Sequence, residues 1–249
     1  MNFNDIGVPI AKVINLKTKK ERILYVSDED DEDTFYVYNC KPNEVIQQIP
    51  NKESERFVSY ISGQSGSGKS YYAKQLAMQY NEMYKKRPVY LFSMIQDDDV
   101  SLKGIKNLKR VQFNDEFMEY TYEAEDFKNC LCIFDDTDCI VNKSVKFKLK
   151  EILMMVLQTG RHNGTSVIYC SHIACNGAET RVILNECHSI TLFLKTMGSK
   201  AIKYLLENYM SLDKHQIKQL KSINSRAITI CKTIPNVVLA KNCAYVLKS

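Results

Sequence analysis

Eight residues, Gly63-Gln64-Ser65-Gly66-Ser67-Gly68-Lys69-Ser70, spell G-x-x-x-x-G-K-[ST], and the chemistry that spacing permits is the binding of a polyphosphate. A polyphosphate crowds several negative charges onto a narrow stalk, so backbone N–H groups surround it only where side chains do not intrude. Gly63, Gly66 and Gly68 give that access. A helix starting near Lys69 would aim its free N–H groups and the positive end of its dipole at the same phosphates. Lys69 is expected to reach the β and γ oxygens, Ser70 to ligate Mg2+, and Tyr71 to adjoin the bound nucleotide. The apolar run 57–61 reads as a buried strand, which supplies the strand–loop–helix context the motif requires. The expected ligands are ATP and Mg2+.

A second segment, Cys130-Leu131-Cys132-Ile133-Phe134-Asp135-Asp136, is an apolar strand ending in two acids, 66 residues after Lys69. Such a strand aims Asp135 at the metal, and Asp136 is placed to orient and polarise an attacking water. A third, Gln158-Thr159-Gly160-Arg161-His162-Asn163-Gly164-Thr165, reads as a loop leading into a strand over 166–170 that closes on Ser171-His172. A strand inserted between the phosphate-loop strand and the acid-bearing strand carries its last polar residue to the γ-phosphate; Ser171 or His172 holds that place. Arg161, 25 residues after Asp136, is a planar and permanently charged fork. Presented to a neighbouring subunit's nucleotide, it would serve as an arginine finger. Arg181 is a second, weaker choice.

The elements that must position these groups read as an α/β fold of P-loop NTPase type, a mostly parallel sheet flanked by helices over 57–249, with a small β-rich appendage over 1–56. Short β segments are expected at 11–16, 22–26, 34–38 and 45–49, with the acidic run 28–33 as an exposed loop. After the phosphate loop, Ala73, Leu76, Ala77, Tyr80, Met83 and Tyr84 recur at helical spacing. A strand is expected over 89–94, followed by an acidic loop at Asp97-Asp98-Asp99, a strand near 110–113, and a short helix through Phe117, Tyr120, Ala124 and Phe127. Asn142 or Ser144 caps a helix with the stripe Leu149, Ile152, Leu153, Val156 and Leu157; its lysines 146, 148 and 150 read as a solvated face, with phosphate contact as the sharper alternative. Beyond lie a strand over 189–195, two helices, and late strands over 226–232 and 237–247.

Composition is that of a globular chain, 45% hydrophobic and 25% charged over 249 residues. No apolar stretch approaches a membrane span, and the first residues lack a basic region followed by a long apolar core, so neither an anchor nor a secretory signal is expected. The nine scattered cysteines point to a reducing compartment. Net charge is +5 but uneven: from residue 140 onward sixteen Lys/Arg face five Asp/Glu, a basic half suited to a polyanion such as DNA.

The segments GQSGSGKS, CLCIFDD and QTGRHNGTSVIYCSH, in this order, resemble the FtsK/HerA-type branch of P-loop ATPases, and within it the genome-packaging ATPases of large DNA viruses and virophages, from about residue 57 to 193. The resemblance implies ring-forming motors that thread double-stranded DNA into a preformed capsid. The partners it implies are DNA, other copies of the chain, and a capsid or portal component; the implied place is the host cytoplasm and the virion. It assigns Lys69 and Ser70 to nucleotide and Mg2+, Asp135 to Mg2+, Asp136 to catalysis and Arg161 to the finger. His172 follows Ser171 where the family usually carries Gln, and Asp136 stands where the second acid is often Glu. The rival reading is a nucleotide-gated assembly protein with negligible turnover.

Overall fold

The computed structural model describes residues 1–30, 32–51, 54, 56–94 and 102–247; Asp31 of the acidic run and the expected loop Asp97-Asp98-Asp99 lie outside them. The N-terminal part gives β1 (Val8–Asn15), β2 (Glu21–Val26), β3 (Val37–Asn39) and β4 (Glu44–Gln48). The chain continues through β5 (Val58–Ser62), α1 (Lys69–Met83), β6 (Val89–Ser93), β7 (Leu108–Val111) and α2 (Asp115–Glu119). Then come β8 (Leu131–Asp135), α3 (Lys143–Asn163), β9 (Ser166–Ser171), α4 (Gly177–Glu186) and β10 (Ser189–Leu192). Last are α5 (Ser199–Asn208), α6 (Lys214–Ser222), β11 (Ile228–Cys231), β12 (Val237–Ala240) and β13 (Cys243–Val246).

Among the described residues ten strands form one sheet in the order β3-β13-β12-β11-β10-β5-β9-β8-β6-β7, and β2-β1-β4 form a separate antiparallel sheet. The run from β10 to β7 is parallel, and the four strands from β11 to β3 are antiparallel. Strand β8 shows how the layers arise. Its alternate side chains serve two cores: Leu131 and Ile133 pack with Ala73, Leu76 and Tyr80 of α1, while Cys132 and Phe134 pack with Leu149, Ile152 and Val156 of α3. An apolar run buried on both faces is what a covered parallel strand requires. A third cluster joins Ile10, Val13 and Leu24 of the small sheet to Val237, Leu239 and Ala244 of the C-terminal hairpin.

Several expectations change in detail. The segment 158–163 is the last part of α3, not a loop. Gly160 is tolerated there because a Cβ would lie only 3.1 Å from the Arg56 guanidinium and 3.2 Å from Thr165, and the helix ends instead at Gly164, at φ 62°. Asn142, not Ser144, caps its start, accepting from the N–H groups of Ser144 and Val145 at 3.0 and 3.3 Å. The expected strand over 237–247 is a hairpin, whose two-residue turn at Lys241-Asn242 is hidden in a continuous apolar pattern. Helix α4 was not legible in advance, and the helix expected from Phe117 to Phe127 is α2 plus a separate 3-10 turn, Ala124–Phe127. Lys148 does not point to solvent: its ammonium donates to the carbonyls of Met118 and Tyr120 at 2.7 and 2.6 Å. No described helix is long and apolar enough to cross a membrane.

The strand that leads into the glycine-rich loop is anchored at its start by two basic side chains, the buried Arg56 and the more exposed His188. Arg56 donates to the carbonyls of Val156 and Leu157 and pairs with Glu186 at 2.8 Å. The Val58 N–H donates to Nδ1 of His188 at 3.0 Å, which requires that nitrogen to be unprotonated. Burial, then the charges of Arg56 and Lys232, hold the His188 pKa below its usual 6.5 against an opposing pull from Glu186. A depressed folded-state pKa means the unfolded chain takes up the proton first, so stability is present above about pH 6.5 and is lost as pH falls through the folded value. Thermal unfolding should therefore occur at lower temperature at pH 5.5 than at pH 7.5, and that fall should shrink in His188→Gln.

Candidate active site

Between the end of β5 and the first turn of α1, the loop folds back on itself. Ser67 N–H donates to the Gln64 carbonyl at 3.1 Å, and Gly63 N–H donates to the carbonyl of Ser171 at the end of β9, also at 3.1 Å. Gly68, the residue preceding α1, has φ 110° and Gly66 has φ 71°, conformations that residues with a Cβ rarely adopt. Gly63 is required for another reason: a Cβ there would lie 2.5 Å from Ser67 Oγ and 2.9 Å from the ring of Phe193. Gln64, Ser65 and Gly66 face solvent, whereas Ser67 and Lys69 are buried. The Lys69 ammonium rests 3.4 Å from the Gln64 carbonyl, inside the loop. Ser70 is half-buried in the same first turn and Tyr71 is exposed.

The acids arrive from the neighbouring strands. Strand β9 does lie between β5 and β8, so the ends of all three reach one edge of the sheet. Asp135, the last residue of β8, is 0% exposed, and neither carboxylate oxygen has a hydrogen-bond partner of good geometry among the described residues. Burial pushes its pKa up and the Asp136 charge adds to this; the Ser70 hydroxyl, the Cys170 thiol and the Lys69 ammonium pull the other way without prevailing. A buried carboxylate with both oxygens orphaned, close to a serine hydroxyl, is a donor set that fits a hard divalent cation.

Asp136 sits at φ 55°, ψ 23°, a left-handed conformation that an aspartate tolerates and most residues do not. The turn aims its carboxylate at His172, with Oδ1 3.4 Å from Nε2. The other side of the ring is held by Asp138: Nδ1 lies 3.0 Å from Oδ1, and the His172 backbone N–H donates to Oδ2 at 2.8 Å. The Ser171 hydroxyl is 3.3 Å from the same Oδ2 and 3.0 Å from the Ile173 carbonyl. Burial alone would raise the Asp138 pKa, but the His172 N–H, ring and charge, with the Ser171 hydroxyl, hold it low. Between the two residues that sequence left open, His172 has the side chain that spans to the acid. Ser171 instead braces Asp138 and lends its carbonyl to the phosphate loop.

Lys69, Ser70, Asp135, Asp136 and His172 thus meet at one place, and Arg161 does not join them. It lies in the last turn of α3, about 27 Å along the helix from the end nearest the acids by the usual rise, and its charge is felt instead by Arg56. Two site residues escaped the sequence reading. Asp138 was visible as the third acid of Asp135-Asp136-Thr137-Asp138 but carried no motif. Arg226, whose Nη2 donates to the Gly66 carbonyl at 2.9 Å, comes from 160 residues away and left no local signal.

Comparison with known proteins gives three results. No family model matches the chain. The uncharacterized protein V3 of Sputnik virophage is 37% identical over 252 residues, covering 99% of this chain and 98% of its own. Among solved structures, the DNA-packaging ATPase B204 of Sulfolobus turreted icosahedral virus superposes with TM-score 0.51 at 15% identity, over 78% of this chain and 98% of its own. The cytoplasmic domain of the type VII secretion ATPase EccC of Thermomonospora curvata gives TM-score 0.51 at 12% identity, over 97% of this chain and 29% of its own.

The raised Asp135 pKa has a direct consequence. A pKa raised above the unfolded reference of 3.8 means that the carboxyl group disfavours the folded state once pH exceeds that reference, so removing the ionisable group removes that penalty above the acid range. Asp135→Asn should melt at higher temperature than the wild type in the absence of ligand, and should gain less from added Mg2+ and ATP in the same melting experiment.

Proposed function

We propose that the chain, which belongs to the family of virophage protein V3, is an FtsK/HerA-type P-loop ATPase that hydrolyses ATP to drive double-stranded viral DNA into a capsid. The observation that carries this reading is the convergence of the Lys69 ammonium, the orphaned Asp135 carboxylate and the Asp136–His172 contact at one sheet edge. Residues 57–249 carry the chemistry, and residues 1–56 form a β-rich part that is not wholly separate, since its β3 joins the margin of the large sheet.

The backbone N–H groups from Gly63 to Gly68 and the start of α1 bind the triphosphate, with Lys69 on its β and γ oxygens. Ser70 and Asp135 would hold Mg2+, whose chemistry when bound would be to neutralise charge on the transferring phosphoryl group. Asp136 orients the attacking water and accepts its proton, and its left-handed backbone fixes the direction of that contact. His172, gripped by Asp138, keeps Asp136 from swinging away. It also gives a route outward: a shift of Asp136 moves the ring, the ring moves the end of β9, and the Ser171 carbonyl there holds Gly63. Arg161, remote from its own loop, acts on the nucleotide of an adjoining copy in a ring.

The DNA partner is supported by α6. Lys214, Lys218 and Lys221 are exposed and recur at intervals of four and three along it, while Ile217 and Leu220 on the other side are buried. A basic stripe of this kind engages phosphates without reading bases. The work takes place in the host cytoplasm, where capsids are filled.

Asp136→Asn should lower steady-state phosphate release by about 10²–10⁴-fold while ATP still binds, and complete retention of turnover would remove Asp136 from catalysis. Arg161→Ala should abolish stimulation by duplex DNA, a loss of about 10³-fold if the finger has its usual weight. A wild-type protein that binds ATP but shows no turnover with duplex DNA would favour the assembly-switch reading instead.

A further inference from the structure

A cleft of about 370 Å³ adjoins the phosphate loop on the β10–β12 side, whereas Asp135 lies on the β9–β8 side. Its size is within the range of about 300–1,000 Å³ that small-molecule sites occupy. Ser67, Gly68 and Phe193 form one end of it, α1 one wall, and β4 of the small sheet another. The direction of the loop makes this cleft significant. Lys69 and the acids fix where the terminal phosphates go, so the rest of a nucleotide leaves the loop past Gly68 and Tyr71, and both residues line the cleft.

The groups around the cleft have the chemistry of a nucleoside site. Two planar side chains border it: the ring of Tyr71, which is 64% exposed, and the guanidinium of Arg226, tethered to the Gly66 carbonyl. Either can stack on a base. Deeper in the cleft the Gln47 amide donates to Gln75 Oε1 at 3.2 Å. That bond uses one donor and one acceptor of the pair and leaves an acceptor on one amide beside donors on the other. The remaining acceptor and donors match in type the amine and adjacent ring nitrogen of adenine, the two groups that a single amide side chain reads when it contacts that base. Gln48 has a different task, because its Oε1 accepts from Tyr72, whose hydroxyl also meets Thr229.

We propose that this cleft is the nucleoside subsite of the ATP site, and that Gln47, supplied by the N-terminal sheet, reads the adenine together with Gln75 of α1. The proposal rests on the nucleotide-binding reading and gives the small sheet a part in it: strand β4 is a wall of the base pocket.

The experiment is equilibrium binding to the full-length protein of three Mg2+-containing probes, a non-hydrolysable ATP analogue, the matching GTP analogue and inorganic tripolyphosphate, which has no base. Gln47→Ala and Gln75→Ala, on two different elements, should each weaken the ATP analogue about fivefold, the weight of one neutral hydrogen bond, and narrow the preference over the GTP analogue. Their affinity for tripolyphosphate should match that of the wild type. Wild-type affinity for the ATP analogue in both variants, or an equal loss for ATP analogue and tripolyphosphate, would overturn the base assignment while leaving the phosphate loop intact as a reading. A wild-type protein that binds neither ATP analogue nor tripolyphosphate would overturn the nucleotide reading itself, and this one with it.

Discussion

Both oxygens of Asp135 are buried without a hydrogen-bond partner among the described residues, at the end of a strand whose preceding side chains are Leu131, Cys132, Ile133 and Phe134. A charge in that position is costly unless something compensates it, and the surroundings are arranged for an external compensator. The strand has to be central and covered on both faces for its end to project beyond the sheet, which demands α1 on one side and α3 on the other. The same packing brings the start of α1, with Lys69 and Ser70, to the same edge. The fold holds these groups close together and leaves the carboxylate's own demand unmet.

The second acid is managed in the opposite way. Asp136 is linked to His172, and His172 to Asp138, so a short chain of polar contacts runs from the turn after β8 to the end of β9. Among the described residues one carboxylate is left without a hydrogen-bond partner, and the next faces a single ring that Asp138 holds in place. In the proposed mechanism the contrast separates two tasks that adjacent residues of like charge would otherwise share: ligating a cation, and pointing at a water from a fixed direction.

Much of this was legible in the sequence because the signals were local. Gly63 to Ser70 had to be a glycine-rich turn from a strand into a helix, and the apolar run before Asp135 had to be a doubly covered strand, because those patterns follow from sterics and burial within a few residues. What failed to show was set by contacts from far along the chain. Gly160 reads as a helix breaker until Arg56, more than 100 residues earlier, is seen lying against it and leaving no room for a Cβ. Arg226 has no neighbours of note in sequence and lies over Gly66 only through the sheet order. The hairpin at Lys241-Asn242 was hidden because both of its strands are apolar and no Gly or Pro marks the turn.

Strand β3 departs from the first part of the chain to pair with β13 at the margin of the large sheet, along Val37 to Asn39, and the small sheet covers Val237, Leu239 and Ala244. A shortened polypeptide beginning at Phe57 would therefore uncover one row of unsatisfied backbone groups on β13 and an oily patch beside it. Bare margins of that sort recruit strands from other molecules. Trimming this chain to residues 57–249 would yield a sticky fragment, and whatever self-association it displayed would reflect the cut and say little about how intact copies assemble.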